Sequence, residues 1–223
     1  MLANILVKYF MAGGPIMWPI LITGIVSVAV VGERAFWWWR ESVKRDPETL
    51  EKLFAALENG DFPEASKLSK DSRDPIIRMI YHGMNHFHSS LQGALFVAAG
   101  AEIQKAGRFL TVMDTLVTLA PLLGLLGTVS GIFRTFLSLG DATVEGATGA
   151  ITGGIGEALI ATMCGLAIAI FALVPFNYFT RKLAQLEFEL QSAATNVEVM
   201  VIAAKQKGFD TRVFRRENSP DRE

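Results

Sequence analysis

Ala120-Pro121-Leu122-Leu123-Gly124-Leu125-Leu126-Gly127-Thr128-Val129-Ser130-Gly131 and, further on, Gly156-Glu157-Ala158-Leu159-Ile160-Ala161-Thr162 decide how this chain is read. Each run opens onto a long stretch free of Asp, Glu, Lys and Arg: Thr115 to Phe133 for the first, Ala158 to Thr180 for the second. A third such stretch runs from Tyr9 to Gly32. Roughly 20 apolar helical residues cross a bilayer core, so all three are long enough to span. Composition agrees: 51% hydrophobic and 19% charged residues in a chain of 223 are too apolar for an ordinary soluble domain. The expected fold class is an all-α membrane protein with three transmembrane helices.

The first span is no secretory signal, because it is too long for an h-region and is followed by Gly32-Glu33-Arg34 in place of a small-x-small cleavage site. Trp37, Trp38 and Trp39 come next, bracketed by Arg34 and Arg40, which points to an interfacial anchor at headgroup level. Eleven Lys or Arg lie between Glu33 and Asp114 and eight from Arg181 onward, whereas Thr135 to Gly156 holds none and carries Asp141 and Glu145. The positive-inside rule therefore puts the N-terminus outside and the C-terminus in the cytoplasm. The expected organisation is a short N-terminal periplasmic or interfacial segment 1–12, spans at 13–32, 114–136 and 157–180, and a cytoplasmic helical loop 33–113. A short periplasmic connection 137–156 and a helical cytoplasmic tail 181–223 complete it, with the tail frayed at its charged end.

Inside the loop, Asp46-Pro47-Glu48, Asp61-Phe62-Pro63-Glu64 and Asp74-Pro75 each pair an N-cap acid with a first-turn proline, and Asn59-Gly60 stops a helix between the first two. This predicts two short helices and a longer one from Pro75. No proline falls between Ser90 and Pro121, so a helix from Leu91 is expected to run unbroken into the membrane. In the last span and tail, Ala158, Thr162, Gly165, Ala169, Ala172, Phe176, Phe179, Leu183, Leu186, Leu190, Ala193, Val197, Met200 and Ala204 recur at spacings of four and three. Such a heptad seam, small in lipid and large in water, predicts an oligomer around a shared axis, with packing inside one chain as the alternative.

No catalytic constellation is present, and the chain is not expected to be an enzyme. His82, His86 and His88 lack a third ligand at a metal-site spacing, so neither metal nor cofactor is expected. Gly153-Gly154-Ile155-Gly156 follows no strand and precedes no Lys-Ser/Thr, which excludes a phosphate loop and suggests a helix break at the outer mouth. Cys164 reads as a small core residue. The net charge of −1 argues against a nucleic-acid partner. What remains is the polar inventory of the spans. Gly124, Thr128, Gly131 and Thr135 share one helical face, and Ala158, Thr162, Gly165 and Ala169 share another, with Gly127 close by. Measured from Arg134 and Glu157 by helical rise, Thr128 and Thr162 fall about 9 and 7.5 Å deep, which places both hydroxyls at one level. Two narrow faces of this kind either meet or flank a cavity, and any proton-carrying acid in such a path has to come from a partner.

Pro121 to Ile132, Ile151 to Ala167 and Pro175-Phe176-Asn177-Tyr178 resemble the MotA/TolQ/ExbB proton-channel family, and Gly13-Gly14-Pro15-Ile16-Met17-Trp18-Pro19 with Glu33-Arg34 is similar to its first span. The resemblance is strongest over 105–185, and three spans in this order fit the ExbB/TolQ branch. It implies a homopentamer in the bacterial inner membrane, whose second and third helices line a pore around a single-span ExbD- or TolR-like partner with an essential intramembrane aspartate. Proton flow would then energise work at the outer membrane, with a TonB-like protein in an ExbB-type system or in envelope integrity and cell division for a TolQ-type one. On this resemblance Thr128 and Thr162 match pore threonines and Glu157 an acid at the outer entrance. Arg134 departs from the family pattern, and a guanidinium near the outer mouth is expected either to repel cations or to pair with Glu157 or Asp141. A non-conducting scaffold in the lipid bilayer and a self-sufficient channel filtered by Glu157 and Arg134 are the other readings.

Overall fold

The computed structural model of the protein describes residues 10–86, 90–139 and 144–209. His88, Asp141 and the charged C-terminal end lie outside the described residues. Seven helices follow one another there: α1 (Met17–Val43), α2 (Pro47–Glu58), α3 (Phe62–Lys70), α4 (Pro75–His86), α5 (Leu91–Ala106), α6 (Leu110–Leu139) and α7 (Val144–Gln206). Three of them, α1, α6 and α7, are long and apolar enough to cross a membrane. The chain is therefore an all-helical membrane protein.

It divides into two units, Met1–Ala35 with Phe109–Phe179, and Phe36–Arg108 with Thr180–Glu223. The first is packed through backbone approach. A Cβ placed on Gly165 would lie 2.5 Å from the Ala120 carbonyl oxygen and 3.0 Å from the Gly124 Cα, so only glycine lets α6 and α7 come this close. Met17 and Ile20 of α1 join Ala161 in a small buried cluster against Ile160, Cys164 and Ile168. Large residues are left on the outside: Leu125, Val129, Phe136, Leu159, Met163 and Ile170 are each more than half exposed. Such a surface needs hydrocarbon or another helix around it.

The second unit is built as in water. Asp46 accepts the Thr49 N–H at 3.0 Å and Asp61 the Glu64 N–H at 3.1 Å, each capping a helix whose first turn holds the proline. Gly60 takes the left-handed turn at φ 74°, ending α2 where the sequence places the stop. Leu53, Leu57, Phe62, Ile77, Ile80 and Leu95 form the core together with Leu186, Leu190, Val197 and Val201 from the end of α7. Three acids, Glu41, Asp74 and Glu102, are buried in this unit. Glu41 and Glu102 both reach Arg78, at 3.2 and 2.5 Å, and also hold Lys44 and Lys105. Burial works against the Arg78 cation, but Glu102 and then Glu41 raise its pKa above the usual arginine value.

Several expectations are corrected. The helix from Pro75 is described over the 12 residues Pro75–His86, as many as α2 has. The helix from Leu91 does not run into the membrane unbroken: α5 stops at Ala106, where the Gly107 N–H closes on the Ile103 carbonyl at 2.8 Å, and Phe109 sits at φ 65° before α6 begins. Glycine is a poor helix former, and the strained Phe109 is held by the fully buried Arg34, whose guanidinium lies 5.5 Å from its ring centroid. Arg34 in turn takes both Glu33 carboxylate oxygens, at 2.5 and 2.7 Å. The glycines at 153, 154 and 156 do not break the last helix, which starts at Val144. Gly154 is needed for contact instead, since a Cβ there would run into the Thr135 side chain.

The heptad seam is covered by the chain's own helices. Ala158, Gly165, Ala169 and Ala172 are buried in the first unit, and Phe179 with them. Leu186, Leu190, Ala193, Val197 and Ala204 are buried in the second, where α2 to α5 supply the cover. The packing alternative is the correct one for this seam. Of the three tryptophans, Trp37 and Trp38 are half-buried against the second unit's core, while Trp39 is 67% exposed. Only Trp39 has the exposure an interfacial anchor needs.

Candidate functional site

The seam between α6 and α7 is the candidate site. Its rungs are Gly124 against Thr162 and Gly165, Gly127 against Ala161, Gly131 against Ala158 and Gly154, and Thr135 against Gly154. The two small faces read from the sequence thus meet rather than flank a cavity. Thr162 bonds across them, its hydroxyl donating to the Gly124 carbonyl oxygen at 2.9 Å. Interhelical bonds of this kind in membranes average about 0.6 kcal/mol, so the contact positions the helices more than it stabilises them.

Thr128 does not share that level. Its hydroxyl turns back to the Leu125 carbonyl at 2.7 Å, and it stands one helical turn from Gly124, which faces Thr162. The equal-depth expectation fails because the antiparallel register pairs Gly124, not Thr128, with Thr162. Helical rise from assumed exit points carries an error of about a turn, and here the turn decides which groups touch. Ala169 continues the buried face of α7.

At the end of the seam away from the second unit's segments in sequence, Arg134 and Glu157 form an ion pair between α6 and α7. The Arg134 Nε also points to the Ser130 carbonyl at 3.4 Å. Both side chains are partly exposed, so the pair is worth little as a stabiliser in water. Gly14 completes the cluster. It has φ 72°, and a Cβ on it would lie 2.6 Å from the Glu157 Cδ and 2.8 Å from the Arg134 Nη2. Only glycine satisfies both the left-handed turn and the approach of the two charged groups. Sequence reasoning assigned Gly14 no role here; the signal was the Gly13-Gly14-Pro15 run, in which a turn before a span is legible but its neighbour is not.

A glycine-packed pair of apolar helices, threonines bonded to carbonyls and one ion pair at the end define the helix seam of a membrane protein. Comparison with known proteins narrows this. Residues 71–192 match the model of the MotA/TolQ/ExbB proton channel family. The ExbB-like 1 biopolymer transport protein of Synechocystis sp. is 34% identical over 178 residues, 77% of this chain and 69% of that protein. The ExbB-like 3 protein of the same organism is 35% identical over 176 residues, 76% of this chain and 82% of that one. Biopolymer transport protein ExbB of Xanthomonas campestris pv. campestris is 41% identical over 88 residues, 40% and 34% of the two chains. The chain belongs to the MotA/TolQ/ExbB proton channel family, in its ExbB branch.

Proposed function

We propose that the chain is the pore-forming subunit of a motor in the bacterial inner membrane, driven by the proton-motive force and energising outer-membrane transport. It is not an enzyme. It works beside a single-span ExbD- or TolR-like protein that brings an intramembrane aspartate, with a TonB-like protein as a further partner. The observation that carries this is the α6 and α7 seam: a close-packed pair of spans with no Asp, Glu, Lys or Arg from Thr115 to Phe133 or from Ala158 to Thr180, closed at one end by Arg134 and Glu157. Intramembrane carboxylates are the usual carriers of proton relays, and these two spans have none, so the acid is supplied from outside the chain.

The Lys and Arg distribution supports an N-out, C-in topology with the capped helices α2 to α5 in the cytoplasm. Oligomerisation, as a pentamer, is assigned to the exposed stripe Leu159, Met163, Leu166 and Ile170 on α7, since the heptad seam is already filled. One observation favours a second reading, a non-conducting scaffold: both candidate hydroxyls, Thr128 and Thr162, are bonded to carbonyls. Proteoliposomes with a trapped pH-sensitive dye separate the two. The chain alone is expected to pass no protons, and flux is expected with the partner present and to be lost when the partner's Asp becomes Asn. Full flux from Thr128→Val with Thr162→Val would overturn the pore assignment. Tolerance of Glu157→Ala together with indifference to uncouplers would favour the scaffold.

A further inference from the structure

The last turns of α1 and the turn before α4 enclose a cleft of about 590 Å3 lined by Trp39, Arg40, Val43, Lys44, Arg73 and Arg78. Four of these six side chains are cationic and none is acidic. The buried Glu41 and Glu102 already engage Lys44 and Arg78. Among the described residues no hydrogen bond or ion pair is made by the guanidinium of Arg40 or of Arg73, so two positive charges face the cleft uncompensated.

One wall is apolar. Phe36, Trp39 and Val43 lie on one face of α1 at spacings of three and four and are 60%, 67% and 73% exposed. They close a helix long and apolar enough to span a membrane. Unpaired arginines beside an exposed tryptophan at the end of such a helix are the recognition chemistry of a phosphate that carries acyl chains. An adjoining cleft of about 550 Å3 provides a contrast: it shares Val43, Lys44 and Arg73 but includes Asp46 and Asp71, and lacks an aromatic wall. Its four cations, Lys44, Arg45, Lys67 and Arg73, share the space with two carboxylates, whereas the first cleft holds four cations and no carboxylate.

We propose that the Arg40 and Arg73 cleft binds the headgroup phosphate of an anionic phospholipid, whose acyl chains lie along Phe36, Trp39 and Val43. The site does not depend on proton conduction, and neither does its test. Intact protein purified in detergent is stripped of lipid and titrated with phosphatidylglycerol or phosphatidylcholine, with bound lipid counted by native mass spectrometry. Phosphatidylglycerol is expected to bind preferentially. Arg40→Gln with Arg73→Gln is expected to weaken it about tenfold or more, while Lys52→Gln with Lys207→Gln, outside the cleft, leaves it unchanged. Trp39→Ala breaks no ion pair and is expected to weaken the lipid several-fold. Equal retention of phosphatidylcholine, wild-type binding by the double arginine variant or by Trp39→Ala, or complete displacement of the lipid by millimolar inorganic phosphate would each overturn the proposal, the last by showing a soluble-phosphate site.

Discussion

One helix serves two regions that solve the same packing problem in opposite ways. From Ala158 to Ala172 its buried face is alanine, glycine and threonine, and helices are held by backbone contact. From Leu186 to Ala204 the buried face includes Leu186, Leu190 and Val197, in a unit that also carries capped helices and a buried ion-pair network. The difference follows from the solvent. Water drives large apolar side chains together at about 25 cal/mol per Å2 buried, whereas lipid tails are as apolar as leucine, so that only closer packing and polar contacts distinguish a helix neighbour from lipid.

The contrast predicts opposite sensitivities to residue size. The largest effect is expected from Gly165→Leu, because even a Cβ at that position meets the Ala120 carbonyl and the Gly124 backbone. Loss of the folded, monodisperse species on size-exclusion chromatography checks it, and wild-type behaviour would break the comparison at once. Leu190→Ala, in the second unit, is expected to cost about 2 to 5 kcal/mol by leaving a cavity, read as a lower melting temperature in detergent. Arg78→Met leaves the buried Glu41 and Glu102 with lysines alone and is expected to cost about 2 to 3 kcal/mol, measured the same way.

Thr162→Val, back in the seam, should cost only about 0.6 kcal/mol. A large fall in proton flux from so small a loss of stability would separate a transport role from packing. The smallest effect belongs to Asp46. Its side-chain bond from Thr49 and then the Thr49 backbone N–H lower its pKa below the usual aspartate value. A depressed carboxyl adds stability above its unfolded value of 3.8 that is lost as pH falls through the lower folded value. Asp46→Ala is expected to lower the melting temperature slightly at neutral pH, with the difference from wild type shrinking under acid conditions.

The sequence displays what is local. Asp46, Asp61 and Asn59-Gly60 mark helix ends because caps and stops need only a few neighbouring residues. The spans are equally plain, since crossing hydrocarbon is a matter of composition and length. What is not displayed depends on register between distant segments. The bond from Thr162 to Gly124, and the distance of Thr128 from it, follow from how α6 and α7 slide against each other, which a one-turn error in depth conceals. The break at Gly107 to Phe109 is hidden for a similar reason. No proline announces it, and the group that holds Phe109, Arg34, lies far back in the chain. The seam of α7 showed its periodicity clearly but not its partner, because the residues that cover it come from a loop read helix by helix.

The second unit is assembled from two pieces of chain, Phe36–Arg108 and Thr180–Glu223, with α6 and most of the apolar part of α7 synthesised between them. During translation, Leu53, Ile77, Ile80 and Leu95 emerge long before Leu186, Leu190 and Val197 exist to cover them. The core therefore stays open on one side until both later spans have been delivered to the bilayer, and completion of the water-facing unit becomes a report that membrane insertion has finished. A chain that stalls before its third span would leave that apolar face uncovered and prone to aggregation.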